Sequence, residues 1–435
     1  MLWCVRSWND FSSLGSTGFW PKLGRCVASA KKKYVAYAEA NEDLSSWPQW
    51  RGQNRDGIAG WLPKSLTSPI RKWRYPLPNL GVGGISGDDT FVIVSSRDRN
   101  DKNDLFVCLD FETGLPLWTF EYPAPGQLDY GNSPRASALI VDPYVVTLGA
   151  FGDLHCLDID SGKVLWKKHL VRDLGGKLPI WGYAASPLLI EDKVVVQPGG
   201  EKNSMVALQI KDGSTVWTSP GRPVAYASPI LMKIRDTSQI IGFDELSLGG
   251  WDPTSGKRLW EHMPKVDSDF NVPTPVATAN GLVLMSENNA TRLHSFDTSQ
   301  KLLDEPIATS EELAADSHSP VRLGNFLVGV HTDLVVLDIS KKLNEVGRFQ
   351  DRAFGNYCSI IGCEDRVLTL GGDGECMLFQ IGDGVPKLLG RFATQPQKAQ
   401  VLSHPAMIGK TFLVRGPDSI DAWDLREHPS PNSKE

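Results

Sequence analysis

The residue types that could do chemistry are few, and their spacing decides against most of it. ADSHSP, residues 315–320, brings Asp316, His318 and Ser319 together, the acid, base and nucleophile of a hydrolytic relay. Neighbours on an extended chain point to opposite faces, so adjacency in sequence does not build a relay, and these read as loop residues. LGGDGE at 370–375 has the glycines of a phosphate loop but neither the Lys-Ser/Thr ending nor a following helix, and reads as a hairpin turn. The seven cysteines form no CxxC and no adjacent pair, which argues against a zinc cluster or a disulfide framework. Cys358 and Cys363 on one strand would stand ~16 Å apart on opposite faces and could not bridge. Cys108 and Cys156 each lie two residues before a recurring Asp and read as small core residues.

The frame that must position any site is a repeat. LHCLDIDSGKVLW, residues 154–166, returns as LFVCLDFETGLPLW ending at Trp118, MVALQIKDGSTVW ending at Trp217 and LGGWDPTSGKRLW ending at Trp260. Anchored on Asp158, the series runs Asp110, Asp158, Gln209, Asp252, Asp297, Asp338, Gln380 and Asp424, at spacings of 41 to 51 residues. That period belongs to blade-sized or helical-pair units. Short runs such as VVVQPG, GLVLMS, RVLTLGG and TFLVR, split by Gly, Pro, Asn and Asp, choose strands, about four to a unit.

Local patterning assigns roles within each unit. The residue before the anchor is large and apolar throughout, from Leu109 to Trp423, and its predecessor is usually small, as expected of sheets stacked face to face. An Asp entering a tight turn accepts amides two and three residues on, and Gly114, Gly162, Gly213 and Gly256 supply the left-handed residue at the turn's end. A Trp eight residues after the anchor, at 118, 166, 217 and 260, is expected to fill the gap between its sheet and the next. The eighth unit stops at SIDAWDLRE without an outer strand, while RKWRYPL, residues 71–77, carries Trp73 without an anchor before it. The expectation is an all-β, eight-bladed propeller of four-stranded antiparallel blades, closed by the strand around Trp73. Seven blades with the first unit outside the ring is the alternative.

The implied organisation is an N-terminal segment over 1–46, an irregular lead-in over 47–70, a propeller over 71–425 and a disordered tail over 426–435. The lead-in WPQWRGQNRDGIAG is expected to pack on the propeller. With 45 basic and 51 acidic residues, a net charge of −6 gives no electrostatic reason to expect nucleic acid, and Lys31 to Lys33 read as a solvated patch. No run approaches the ~18 to 20 apolar residues of a spanning helix. LGRC at 23–26 is similar to a lipoprotein cleavage box, but Arg25 and the missing apolar run argue against a signal.

GDLHCLDIDSGKVLW at 152–166 resembles the tryptophan-docking motif of quinoprotein-like, or PQQ-like, β-propellers, and WPQWRGQNRDGIAG resembles the lead-in found before such propellers in bacterial proteins. The likeness spans roughly 47–425, strongest in the first four repeats and poor in the fifth and seventh. WD-repeat propellers compete less well: AWD and GWD occur only at 422–424 and 250–252, without the associated Gly-His. The resemblance admits both pyrroloquinoline-quinone (PQQ) alcohol dehydrogenases and the lipoprotein propeller that helps assemble outer-membrane proteins, so it does not itself supply a cofactor. In the enzymes of this family the quinone lies over the channel, held by adjacent cysteines, a facing Trp and calcium. This sequence has no Cys-Cys pair, and its recurring Asp residues are committed to turns, so neither PQQ nor calcium is expected.

The connections into the innermost strands remain: LDYGNSP, PIWGYAASP, PVAYASP, FNVPTP, DSHSP, GNYCS and VLSHP. They gather at one mouth of a propeller and carry Tyr130, Asn132, Trp181, Tyr183, Tyr226, Asn271, His318, Tyr357 and His404. The alternative is that the Ser-Pro or Thr-Pro step starts an edge strand and the aromatics plug the channel. The expectation is a non-enzymatic, monomeric scaffold offering this rim to a protein or peptide, in the cell envelope if the family's usual location applies. A quinone-dependent dehydrogenase and a carbohydrate-binding propeller are the alternatives.

Overall fold

The computed structural model describes residues 45–427 apart from 68, 268, 316, 356 and 396–399. Almost all of the segment 1–46, including Cys26 and the run Lys31 to Lys33, lies outside the described residues, as do Asp316 and most of the tail expected from 426.

Each repeat makes one four-stranded antiparallel sheet. The second shows the plan: Leu139–Val141 pairs with Tyr144–Leu148, which pairs with Asp153–Asp158, which pairs with Val164–His169 on the outside. Seven sheets follow this order in sequence, and together with an eighth they stand in a ring as a β-propeller. The eighth is built from both ends of the chain: Ala406–Ile408, Thr411–Arg415 and Ser419–Asp424 are completed by Ile70–Pro76, with Trp73 opposite Ala422 and Tyr75 opposite Ile420. An eight-membered ring closed by the Trp73 strand is therefore the fold, and the seven-bladed alternative falls.

The anchors end the third strand or follow it, and the turns explain their chemistry. Asp158 accepts the Ser161 amide at 2.9 Å, Asp110 that of Thr113 at 2.8 Å, and Asp252 those of Thr254 and Ser255 at 3.0 and 2.7 Å. Two anchors differ because an amide side chain donates: Gln209 reaches Asp192 at 2.7 Å and Gln380 reaches Asp365 at 2.9 Å, in the turn between the first two strands of their own sheets. Asp338 caps a short 3-10 turn, Ile339–Lys341, in place of a hairpin.

The indoles join one sheet to the next. Trp118 donates from Nε1 to the Ile159 carbonyl at 2.7 Å and lies on Gly162, whose φ is +67° and where a Cβ would stand 2.6 Å from the ring. Trp166 treats Ile210 and Gly213 in the same way, and Trp217 treats Pro253 and Gly256 likewise. Trp73 repeats the contact from the last sheet to the first, through the Phe111 carbonyl at 2.9 Å and Gly114. Glycine is needed here twice over, for its left-handed conformation and for the indole above it. Trp260 breaks the series: its Nε1 donates to Gln239 Oε1 within its own sheet, and the next turn has Gln300 with positive φ in place of a glycine. In the fifth unit the eight-residue offset falls at Glu305, before an outer strand of only three residues, Ala308–Ser310.

Hydroxyls before the prolines lace the innermost strands. Ser186 Oγ accepts the Ser137 amide at 3.0 Å, Ser228 Oγ that of Ser186 at 2.9 Å, and Ser319 Oγ that of Thr274 at 2.8 Å. A proline can follow because the axial edge of an innermost strand has no further strand to receive its amide.

One buried cation ties the closure. Arg415, 1% exposed, donates to the carbonyls of Ser95, Gly81 and Asn79, joining the last sheet to the first and to the chain between them. Burial lowers its pKa to about 9. Arg415→Met is expected to cost about 2–3 kcal/mol by leaving these carbonyls unpaired, measured as a lower midpoint in chemical denaturation.

Candidate functional site

The axis of the ring is occupied by the chain itself. Trp47 exchanges both backbone hydrogen bonds with Gly87 of the first blade, and the Pro48 carbonyl accepts from Ile140 of the second at 2.8 Å. Arg55 donates to the carbonyls of Ser186 and Pro187 at the third, Trp50 to Thr274 Oγ1 at the fifth, and Arg51 to the Pro320 carbonyl at the sixth. Gly57 and Ala59 pair with Gly362 of the seventh, and the Trp47 and Trp50 rings lie 6.2 and 5.1 Å from His404 at the eighth. A thirteen-residue stretch from Trp47 to Ala59 can touch all of these only by lying across the channel. Its course needs turns: Arg51 and Arg55 have φ of 56° and 61°, among Gly52 and Gly57 at 84° and 78°. Left-handed non-glycine residues are costly, and each guanidinium compensates by binding backbone carbonyls just ahead of the innermost strands.

The axial plug determines what the rim histidines do. His404 gives its Nδ1 to the Pro405 carbonyl at 2.9 Å, and burial, with the Arg51 charge, pushes its pKa down to about 3. His318 accepts the Val330 amide on Nε2 at 3.1 Å, and burial, with Arg51 and His331, lowers it to about 4. Ser319 faces Thr274 instead, so His318 and Ser319 are not a pair. Folded pKa values below that of the unfolded chain give stability that is full above about pH 6.5 and lost as pH falls toward 4. Each such histidine contributes a slope of up to about 1.4 kcal/mol per pH unit. His155 and His294, lowered by burial to about 4, add to it. The unfolding midpoint is expected to fall measurably between pH 6.5 and 5, above the titration of ordinary carboxylates, and His404→Gln is expected to reduce that slope.

The nine rim candidates divide. Tyr183 is buried with its hydroxyl on the Pro198 carbonyl at 2.9 Å, and Asn271, also buried, turns its amide toward the Asp244 carbonyl at 3.4 Å. Tyr357, His318 and His404 line a small crevice against Trp50 and Ile360. Tyr130, Trp181 and Tyr226 come together: Trp181 stands 6.0 Å from Tyr130 edge-on and 5.0 Å from Tyr226. Phe270, one residue before Asn271, completes the group at 4.5 Å from Trp181.

This cluster faces outward. Tyr130 is 81%, neighbouring Ile180 77% and Phe270 52% exposed. The connection under Tyr130 is braced: Asn132 accepts the Leu128 amide at 2.9 Å and donates to Asp101 at 2.6 Å, while Arg135 holds the carbonyls of Asp129 and Gly131. Four rings from successive connections thus form an apolar surface of fixed shape, suited to a side chain or an extended segment of another molecule.

The quinone and calcium that the resemblance raises do not fit the residues present. The axis carries the buried guanidinium groups of Arg51 and Arg55 with Asp56 as the nearby acid, a setting that repels a divalent cation. Among the described residues no three His, Cys, Asp or Glu side chains come together as a metal site, and Cys108, Cys156, Cys358, Cys363 and Cys376 are free thiols buried within the sheets. Cys358 and Cys363 end one strand, Cys358–Cys363, as spacing implies. Burial lifts the Cys156 and Cys358 thiols to about 12, far from a reactive thiolate. No described helix is long and apolar enough to cross a membrane.

Comparison with solved structures finds the fold among several proteins. The quinohemoprotein alcohol dehydrogenase from Comamonas testosteroni aligns over 90% of this chain and 82% of its own at 12% identity, with a TM-score of 0.65. A europium-containing methanol dehydrogenase aligns over 86% and 91% at 12% identity, with a TM-score of 0.55. No curated protein matches the sequence. A family profile described as outer membrane protein assembly factor BamB matches residues 101–346, more than half of the chain, and the chain belongs to that family of PQQ-like repeat propellers.

Proposed function

We propose that the protein is a non-enzymatic scaffold of the cell envelope, acting as a monomer that binds a partner protein or an extended peptide at one rim of the propeller. The observation that carries this reading is the ring cluster of exposed Tyr130 and Phe270 with half-buried Trp181 and Tyr226, set on braced connections around an axis closed by the protein's own chain. Solvent-facing aromatics converging in one place are costly to leave in water, and they are the residue types that anchor protein interfaces. Family membership supports an assembly role without naming the partner. In this reading residues 47–70 are a lead-in that plugs the channel, 71–425 the propeller and 426–435 a tail, and the recurring indoles are docking elements that keep the rim rigid.

The experiment is capture from envelope extract by the intact protein and by Trp181→Ala, with retained material quantified. A defined partner recovered by the first and depleted with the second is expected. Equal recovery by both would overturn the assignment of the rim.

A further inference from the structure

The channel has a second mouth, and its chemistry is unlike the first. A cavity of about 380 Å³ opens there between the plug and the innermost strands of the third to sixth blades. The strand Ile230–Ile234 and the strand Val276–Ala277 run away from the connections carrying Tyr226 and Phe270, and the cavity reaches their far ends at Lys233 and Thr278. It is therefore separated from the aromatic rim by the depth of the ring and by the plug.

Two features of the lining point to one class of ligand. The first is charge: among the described lining residues Arg51, Arg55, Lys233 and Arg322 face the cavity against one acid, Asp56. Arg51 and Arg55 are buried and are positioned by hydrogen bonds to Gln49 and to backbone carbonyls just ahead of the innermost strands. Guanidinium groups already fixed by the fold recognise an anion with little further ordering. The second is an apolar wall of Leu188, Ile230, Met232, Pro275 and Val276 beside the charged floor. A volume near 380 Å³ lies in the range of small-molecule sites, which pair an apolar lining with a few placed polar groups.

We propose that this second mouth binds a small organic carboxylate with an apolar body, its carboxylate toward Arg51, Arg55 and Arg322 and its hydrocarbon portion along Ile230, Met232 and Val276. Phosphate or sulfate would use the charge but leave the apolar wall wet, and a neutral or cationic amphiphile would meet four basic side chains.

The test uses the intact protein and three probes sharing one hydrocarbon body: 4-phenylbutyrate, 4-phenylbutanamide and 4-phenylbutylamine. Calorimetric titration is expected to give saturable 1:1 binding of the acid, at least tenfold weaker binding of the amide and none of the amine. Arg322→Gln and Lys233→Gln, both at exposed positions, are expected to weaken the acid at least threefold each without changing the unfolding midpoint. Ala277→Trp, which fills the cavity, is expected to abolish binding. Should that variant fail to fold, the two rim variants still decide. Equal affinities for the three probes, no saturable heat with the acid, or unchanged affinity in both Arg322→Gln and Lys233→Gln would each overturn the proposal. None of these outcomes depends on whether the opposite rim binds a partner.

Discussion

Trp73→Ala is expected to lower the stability of the propeller by about 3–5 kcal/mol, the cost of emptying a large buried aromatic site. The indole fills the seam where the two ends of the chain meet. It is 9% exposed, lies on Gly114 and gives its Nε1 to Phe111, and every one of these contacts joins the last sheet to the first. Removing an equivalent indole elsewhere loosens two blades that are still continuous in sequence. Here the strand Ile70–Pro76 is held in the ring by its pairing with Ser419–Asp424 and by this side chain. Gly114→Ala attacks the same contact from the other side, through a Cβ directed into the ring and a φ of +67°. Denaturation of both single variants and the double variant should give a coupling energy of at least about 1 kcal/mol, since the steric part of Gly114→Ala vanishes once the indole is gone. Additive losses would mean that the two residues do not meet.

Trp181→Ala is expected to reduce partner affinity by about 2 kcal/mol or more, roughly thirtyfold, which is the range of central aromatic anchors at interfaces. Trp181 touches each of the other three rings, at 6.0, 5.0 and 4.5 Å, so its loss separates Tyr130, Tyr226 and Phe270 from one another. The fold should hardly notice: the residue is only partly buried, lies in a connection and gives no side-chain hydrogen bond to a neighbouring blade among those described. Affinity measured by titration of the captured partner should fall while the unfolding midpoint stays within about a degree. A parallel fall in both would assign Trp181 to stability.

The ring was legible because each unit repeats a local rule. Asp158, Gly162 and Trp166 lie within nine residues, so turn, left-handed glycine and seam-filling indole can be read together, and the orphan strand at Trp73 follows from counting what the eighth unit lacks. The pattern fades where another contact replaces it, as at Trp260, where Gln239 takes the indole that the next blade's missing glycine would have received. The plug was only half legible. Its Trp, Gly, Asn and Asp content marks ordered irregular chain, but its partners, Gly87, Ser186, Thr274, Pro320 and Gly362, lie on blades far away in sequence, and no periodicity announces them. The site was partly legible for a related reason. Membership in a rim connection can be read from a Ser-Pro or Thr-Pro step, whereas the direction a side chain takes depends on the plug. His404 turns inward onto Trp47 and Trp50, and Phe270 turns outward although Asn271 beside it is buried.

Site-specific photocrosslinking tests the account most directly. A photoreactive phenylalanine placed at position 130, in the aromatic cluster, is compared with one at Val385, an exposed residue on the outer part of the seventh blade. The expected result is a discrete adduct from position 130, absent from position 385 and lost when Trp181→Ala is added. The same adducts from both positions, or an adduct at 130 indifferent to Trp181, would contradict binding at this rim.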